Sequence, residues 1–530
     1  MKYNVNRIDH IEKLKKIGIA LSVEEDIDEF FKMVLEEAIS YTNADAGSLY
    51  RISSDGKYLD FTFVCTISKK ISLGRADTVK WPSVPLYDNK GNRKLKNFVS
   101  YVAHTARTVA VEDVYDQDIF DHSGTKKYDT ANQYHSKSMV GVPMLNHEND
   151  VLGVIQLINA LDRDNKIIPF NHRHISMVES LASQAAIALT NKALIAGLEN
   201  LLYQFIKSIA DAIDRKSKYT GGHISRVATL TEMIARKIHS DKYIFPEINF
   251  SDNELQELVI AGWMHDVGKI TTPENIIDKA TRMETIFDRI ELIATRFALV
   301  KKVIENDIIK ASIKKDKQTS RELTVLLKKI DADLDFLSEI NNSNRNLCEM
   351  DLERIEKIAS FSYRAENKIY RLITDDEKRN LLIKNGNLLP EELTKMQEHV
   401  LITHEMLSRL TFPKKFRNVA LYASSHHEKL NGKGYPFHLR AEELPLQARI
   451  IAIADIFESL TASDRPYKEG KTLGQAFEVL ANWASQGEID SRILDLFLDS
   501  GLFMEYARKY LKQDQIDKID PALIKKKYHD

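Results

Sequence analysis

The sequence predicts an α+β domain, with an antiparallel sheet and flanking helices, joined by a long helix to an all-α domain that carries a helical insertion. Three observations predict this architecture. Short strand-like runs lie before about residue 200, whereas the rest of the chain shows helical spacing. An apolar heptad repeat lies between the two halves. A stretch of the second half, residues 280–390, has almost no glycine or proline.

The strands of the first domain are predicted from short runs that alternate apolar and polar residues or are continuously apolar. These runs are residues 46–52, 58–64, 138–145 and 151–158. Helical spacing occurs at residues 30–38 and 98–103. This order resembles a GAF domain over residues 20–190. The resemblance implies a cavity for a small ligand, which it does not identify; an empty domain used for dimerisation is the alternative.

The heptad repeat predicts a linker helix over residues 175–212. Its seam residues are Ile187, Asn191, Leu194, Leu198, Leu201, Phe205, Ser208 and Ala212. A parallel two-stranded coiled coil would follow, with Asn191 fixing the register, so we expect a homodimer. A single amphipathic helix that packs on its own domain is the alternative.

Two motifs indicate the chemistry of the second half. They are His265-Asp266-Val267-Gly268-Lys269, and the pair His426-His427 followed by Gly434-Tyr435-Pro436. The first motif follows an apolar run, residues 258–264, so Asp266 is expected on a buried helix, where a carboxylate is costly without a cation. Mixed imidazole and carboxylate ligands suit iron, manganese or zinc, which activate water near neutral pH. The motifs together predict metal-dependent hydrolysis of a phosphodiester.

Three further candidate ligands are His223, His399 and Asp455. With them, the order of motifs resembles the HD-GYP family of cyclic di-GMP phosphodiesterases over residues 200–515. The resemblance implies that Asp266 bridges two metal ions, whose other ligands are His223, His265, His399, His426, His427 and Asp455. It also implies a catalytic Lys269 at the attacked phosphate, Arg465 and Lys468 at the other phosphate, and Gly434 and Tyr435 at the substrate mouth.

The metal count is predicted from one departure from part of that family. Some members carry Glu four residues before the first histidine, where this chain has Tyr219. A phenol with a pKa of about 10 is a poor ligand for a third cation. We therefore expect two metal ions per chain, iron first and manganese as the alternative.

The resemblance implies hydrolysis of cyclic di-GMP to linear pGpG, with a second cut to GMP left open. Cyclic GMP-AMP is an alternative substrate, because no residue visibly selects guanine at both ends. A catalytically inactive protein that senses a cyclic dinucleotide or docks a partner is the alternative from another class. The complete ligand set argues against inactivity.

The insertion, residues 280–390, is expected to be a helical subdomain within the HD-GYP domain. Its mixed charges are interpreted as a solvated face, with partner binding as the alternative.

Composition narrows the remaining functions. A net charge of -2 gives no general attraction for a nucleic acid polymer. Two scattered cysteines, Cys65 and Cys348, do not form a disulfide framework, which favours a reducing compartment. The N-terminus has no signal-peptide core, and no uninterrupted apolar run reaches about 18 residues. We therefore expect a cytoplasmic enzyme with no membrane segment.

Overall fold

The computed structural model describes residues 27–74, 82–216, 221–342, 345–365, 368–463 and 470–529. The chain divides into two compact units, Met1–Leu201 and Leu202–Asp530. Each is described by itself. The predicted limits of the domains stay predictions.

The first unit is built on a single antiparallel sheet in its described residues. Its strands are β1 (Ala44–Ile52), β2 (Tyr58–Thr66), β3 (Ile71–Gly74), β4 (Val84–Pro85), β5 (Val109–Val111), β6 (Met139–Leu145), β7 (Val151–Leu161) and β8 (Ile167–Ile168). The order along the sheet is β3-β2-β1-β7-β6-β5, with β4 beside β2 and β8 beside β7. The helices are α1 (Ile27–Thr42), α2 (Phe98–Thr105) and α3 (Ser123–Asn132).

Helices cover both faces of this sheet, because its central strands are apolar on both sides. On one face, Phe31 and Leu35 of α1 form a core with Leu157 of β7. On the other face, Val102 of α2 lies in a second core with Tyr50 of β1. A cavity of about 480 Å³ lies among residues of this second face and the strands, and its lining includes aromatic and polar side chains. The predicted α+β fold of this part is confirmed.

The long helix α4 (His172–Asp214) covers the whole predicted linker. All eight predicted seam residues are exposed in the single chain. Buried residues lie on another face of its last turns, where Ile206, Ala210 and Ile213 belong to the core of the second unit. Among the described residues, α4 is long and apolar enough to be a candidate membrane-spanning helix by length and composition alone. A single helix of this kind is weak evidence for a membrane span.

The second unit, outside its insertion, consists of helices and connecting loops, with no β-strand in its described residues. Its elements before the insertion are α5 (His223–Ser240), α6 (Asp252–Met264), a 3-10 turn (Val267–Thr271) and α7 (Glu274–Ile277). After the insertion come α12 (Pro390–Ser408), α13 (Val419–Ser424), α14 (Leu446–Thr461), α15 (Leu473–Ser485), α16 (Ser491–Asp499), α17 (Leu502–Tyr510) and α18 (Pro521–His529). One apolar core joins α5, α6 and α14, and it includes Phe457, Phe477 and Phe497.

The insertion consists of α8 (Ile290–Ile313), α9 (Lys317–Ile340), α10 (Glu349–Ser360) and α11 (Asp375–Leu381). It also contains a short antiparallel hairpin, β9 (Ser362–Ala365) and β10 (Lys368–Arg371), which helical spacing did not predict. Its apolar residues form a core of their own that includes Phe297 and Leu337. The fully buried Arg282 donates to the carbonyls of Ile340 at 2.5 Å and Ile383 at 2.9 Å, so it connects the start of the insertion to later segments.

Candidate metal centre

The seven predicted metal ligands come together in the second unit, although they lie on separate elements. His223 begins α5, His265 and Asp266 lie between α6 and the 3-10 turn, His399 is in α12, His426 and His427 follow α13, and Asp455 is in α14. All are buried except His427, which is half-buried. Their ligand atoms form three groups with separations within 4.8 Å: His399 with His426 and His427, His223 with His265 and Asp455, and His265 with Asp266 and His426.

Asp266 occupies the middle of this cluster. Its Oδ2 atom lies 3.4 Å from His223 Nε2 and 3.2 Å from His265 Nε2. Its other oxygen, Oδ1, lies 3.3 Å from His399 Nε2. The two oxygens of one carboxylate therefore face histidines that belong to different groups of the cluster.

Three of the histidines are oriented by their own backbone. The Nδ1 atoms of His265, His399 and His426 each lie within hydrogen-bond distance of the carbonyl three residues earlier, at 2.8, 2.6 and 2.7 Å. A carbonyl can only accept, so Nδ1 carries the proton and donates it. In the neutral form of each ring, the Nε2 lone pair is then directed into the cluster, which is the tautomer that a metal ligand needs.

The residues present fit a bound metal ion. Several buried side-chain atoms of the described residues have no hydrogen-bond partner, and four of them lie together in the cluster: Nε2 of His265, His399 and His426, and Oδ1 of Asp266. A buried polar atom without a partner costs about 1–3 kcal/mol. Nitrogen and oxygen lone pairs that converge on one point are satisfied together by a cation.

The electrostatics of the cluster favour neutral imidazoles at one end. Burial, together with the neighbouring His427 and His265, lowers the pKa of His426 well below its usual value. Burial also lowers the pKa of His427 to about 3. Both rings are therefore neutral near pH 7, as ligands must be.

At the other end of the cluster, around His223 and Asp266, carboxylates determine the electrostatics. Burial opposes a charge on His223, but Glu458, Asp266 and Asp455 outweigh it and raise the pKa of this imidazole well above its usual value. Burial likewise opposes a charge on Asp266, but Lys269 and His265 hold its pKa well below the usual range. The resulting concentration of negative charge attracts a cation.

Glu458 also belongs to this candidate site, although it was not among the residues predicted from the sequence. Its carboxylate is almost fully buried, hydrogen-bonds to Nδ1 of His223 and accepts from Nε of Arg226 at 2.7 Å. It lies three residues after Asp455, on the same side of α14. A second acidic residue at this spacing in an otherwise apolar helix was the signal that could have identified it.

Thr403 and Gly268 hold the His265-Asp266 segment against α12. The Thr403 hydroxyl accepts from Gly268 N at 3.0 Å and donates to the His265 carbonyl at 3.1 Å. A Cβ atom at Gly268 would lie 1.9 Å from the His399 carbonyl oxygen, so only glycine permits this approach. The sequence analysis named neither residue as a candidate.

Lys269 lies at the edge of the cluster. Its Nζ donates to Asp266 Oδ2 at 2.6 Å, and its side chain is 24 % exposed. A cation that contacts both the buried carboxylate and solvent is suitably placed to meet an incoming anion.

The loop that contains Gly434 and Tyr435 lies against His427. The Tyr435 ring is 4.9 Å from the His427 ring, centroid to centroid. A Cβ atom at Gly434 would lie 2.3 Å from Lys429 N, which requires glycine. The buried Glu428, also missed by the sequence analysis, accepts from Phe437 N at 2.6 Å and Leu439 N at 3.0 Å and so holds the loop.

Three predicted residues lie outside the described part of the chain. They are Arg465 and Lys468, which were expected to bind substrate, and Tyr219, on which the metal count depends. Their positions stay predictions.

Comparisons with known proteins give the same domain order. Residues 26–189 match the GAF domain model. Two HD domain models match residues 220–345 and 376–493.

Curated relatives match shorter stretches. The chain is 40 % identical over 121 residues to the cyclic di-GMP phosphodiesterase response regulator RpfG of Xanthomonas campestris pv. campestris, covering 22 % of this chain and 31 % of that protein. It is 41 % identical over 97 residues to a cyclic di-GMP phosphodiesterase of Thermotoga maritima, covering 18 % and 26 %. It is 35 % identical over 132 residues to a 3'3'-cGAMP-specific phosphodiesterase 1 of Vibrio cholerae, covering 24 % and 28 %.

The chain thus spans less than a third of the length of each of these relatives. The matching family models and these relatives confirm the resemblance that the motifs indicated. The chain carries a GAF domain followed by HD domain matches, in the order that the motifs indicated.

Proposed function

We propose that this protein is a metal-dependent phosphodiesterase that hydrolyses cyclic di-GMP to linear pGpG. The observation that carries the proposal is the set of four buried, unpartnered ligand atoms on His265, Asp266, His399 and His426. Relatives named as cyclic di-GMP phosphodiesterases support the choice of substrate. A second cut to GMP is the further step that product analysis would reveal.

Two metal ions per chain are proposed. His223, His265 and Asp455 would hold one, and His399, His426 and His427 the other, with Asp266 between them. Mixed nitrogen and oxygen ligands favour iron or manganese over magnesium or calcium. When bound, such ions act as Lewis acids on the phosphate and lower the pKa of water near it.

The remaining side chains are assigned to the phosphates and to the shape of the site. Lys269, held by Asp266 at 2.6 Å, would neutralise charge that develops on the attacked phosphate. Gly434 and Tyr435 would form part of the mouth beside His427. Arg465 and Lys468 are proposed, by resemblance alone, to bind the second phosphate.

A second candidate substrate is 3'3'-cyclic GMP-AMP, because one of the matched relatives is named for it. Both substrates have the same ring of two riboses joined by two 3',5'-phosphodiester bonds, so a metal centre that contacts a phosphate cannot distinguish them. An inactive sensing or docking protein is less well supported, since all seven ligands are present and close together.

The test is product analysis of the purified full chain with iron or manganese, supplied in parallel with each of the two cyclic dinucleotides. We expect pGpG from cyclic di-GMP and no product from the Asp266→Ala variant, which removes the shared carboxylate. The matched control is Asp499→Ala, since Asp499 is half-exposed and pairs with Lys525. A parent protein that binds the dinucleotide without any product would establish the sensing alternative.

We also propose that α4 forms a parallel coiled coil in a homodimer. All eight predicted seam residues are exposed in the single chain, so the alternative of a seam packed on its own domain is not favoured. Exposed leucines at heptad spacing are typical of a helix that pairs with a second copy. The ligand of the GAF cavity and the cytoplasmic location stay predictions.

A further inference from the structure

A lysine at the end of the long helix contacts the turn that carries Lys269. Lys216 follows α4 by two residues, and its backbone N–H donates to the Ile213 carbonyl at 3.0 Å, which continues the last helical turn. Its ammonium donates to the carbonyls of Lys269 at 3.1 Å, Ile270 at 2.5 Å and Thr272 at 2.8 Å.

These three bonds use every donor that a lysine ammonium has. They also fall at the C-terminal end of the 3-10 turn Val267–Thr271, where the last carbonyls of a helix need donors from outside it. The Lys269 carbonyl accepts from Thr272 N at 3.1 Å as well, so Lys216 is its second donor. A cation is favoured at that end, because the carbonyl dipoles point toward it. Lys216 therefore acts as a cap supplied from another element.

Both the helix end that carries Lys216 and the turn that Lys216 contacts are held in place by other residues. On the side of α4, Ile213 belongs to the core of the second unit, and the neighbouring Asp214 carboxylate accepts from Ile224 N at 3.3 Å. On the side of the turn, Gly268 is held by Thr403, and Lys269 by its ion pair with Asp266. A displacement of the end of α4 therefore pulls on the backbone of Lys269 through Lys216.

We propose that Lys216 is a positioning residue that couples the end of α4 to Lys269, so that the placement of this helix end sets the turnover rate. The proposal rests on the proposed phosphodiesterase activity. The three ammonium N–H groups of Lys216 all donate hydrogen bonds to the carbonyls of Lys269, Ile270 and Thr272, and Lys216 acts through the backbone of Lys269.

The first test compares Lys216→Met, which keeps the apolar stem and removes the donors, with Lys216→Arg, which keeps the charge and several donors. Small misplacements of a group at the phosphate reduce the rate strongly, so we expect a kcat about 10- to 100-fold lower in Lys216→Met. KM, metal content and melting temperature should remain at the parent values, and Lys216→Arg should restore most of the rate. Lys192→Met, at an exposed lysine of the same helix, is the matched control.

The second test measures the turn itself by amide hydrogen exchange over residues 267–272, with metal bound. Lys216→Met should accelerate exchange there by at least about tenfold relative to the parent, while the α15 segment stays unchanged. This readout needs no turnover.

These experiments distinguish a failure of the proposed phosphodiesterase activity from a failure of the proposed coupling through Lys216. If the parent forms no product from either dinucleotide, the proposed function fails, and hydrogen exchange still decides whether Lys216 holds the turn. Parent values of both kcat and exchange in Lys216→Met would overturn the coupling. A rate loss that comes with lost metal or a lower melting temperature, and that Arg does not restore, would overturn it too, because it would indicate a general structural role.

Discussion

At the scale of single residues, Glu458 shows how a side chain outside the ligand set prepares a ligand. Its carboxylate bonds to Nδ1 of His223 and is itself held by Arg226. An ionised partner at Nδ1 fixes the ring orientation and increases the basicity of Nε2. The orientation of His223 therefore depends on a residue 235 positions away in the sequence.

Glu458→Gln should weaken metal binding by about 10- to 100-fold, because an amide is a weaker partner for Nδ1 than a carboxylate. Titration of the metal-free protein with manganese would measure the change. Glu232→Gln is the matched control, since Glu232 pairs with Arg236 on the surface of the same α5 that carries His223. Equal manganese affinity of parent and Glu458→Gln would contradict this role.

Gly268→Ala should both destabilise the second unit and impair metal binding. The new Cβ would lie 1.9 Å from a backbone oxygen, which no side-chain rotation can relieve. Overpacking of this kind typically costs about 1–3 kcal/mol, measured here by chemical denaturation. Gly197→Ala, in open space on α4, should leave stability unchanged or raise it slightly. A Gly268→Ala protein with parent stability and metal content would show that the turn and α12 are not constrained by this contact.

At the scale of elements, α4 combines two different faces. Near its C-terminal end, Ile206, Ala210 and Ile213 are buried in the core of the second unit, whereas the heptad seam is exposed. A helix that served only to pack on its own domain would not expose Leu194, Leu198 and Leu201 to solvent along one seam.

Leu198→Glu combined with Leu201→Glu should convert a dimer into monomers. Each leucine buried in the interface contributes roughly 1.5–3 kcal/mol to the free energy of association. In the double variant, negatively charged glutamates of the two chains would face each other across the seam and repel. Light scattering would measure the mass. Leu523→Glu is the matched control because Leu523 is 63 % exposed, close to the 66 % and 61 % of the two seam leucines. A monomeric parent, or an unchanged mass of the double variant, would remove the coiled coil.

At the scale of the whole molecule, each region has its own apolar core. The sheet of the first unit is covered by two clusters, the helices of the second unit share one, and the insertion has another. The seven proposed metal ligands all lie on the second unit and outside the insertion. Metal binding should therefore stabilise the second unit selectively.

Two metal ions per chain are expected in protein made with sufficient iron or manganese, and chelation should lower the melting temperature of the second unit. The reason is that binding to the folded state alone adds to its stability, by about 2.7 kcal/mol at a free concentration of 100 times Kd. Elemental analysis gives the count, and calorimetry with and without chelator gives the shift. Three fully occupied sites would show that another residue replaces the Glu for which this chain has Tyr219.

The sequence alone predicted the fold class and named seven residues that the structure brings together in the candidate metal centre. Period-two runs, heptads and helical spacing are local, so they identified the sheet, α4 and the helices on each side of the insertion. His265-Asp266 and His426-His427 are adjacent pairs within recognisable motifs, so the ligand types could be named without a structure. The paired strands Ser362–Ala365 and Lys368–Arg371 could not be predicted in this way, because they are short and lie between helices.

The tertiary structure alone decided which of these groups face each other. Glu458 meets His223, Thr403 meets His265 and Lys216 meets Lys269 across 235, 138 and 53 positions. Such contacts follow from how α4, α5, α12 and α14 cross one another. Periodicity records which face of a helix is buried, but it does not record which partner that face meets.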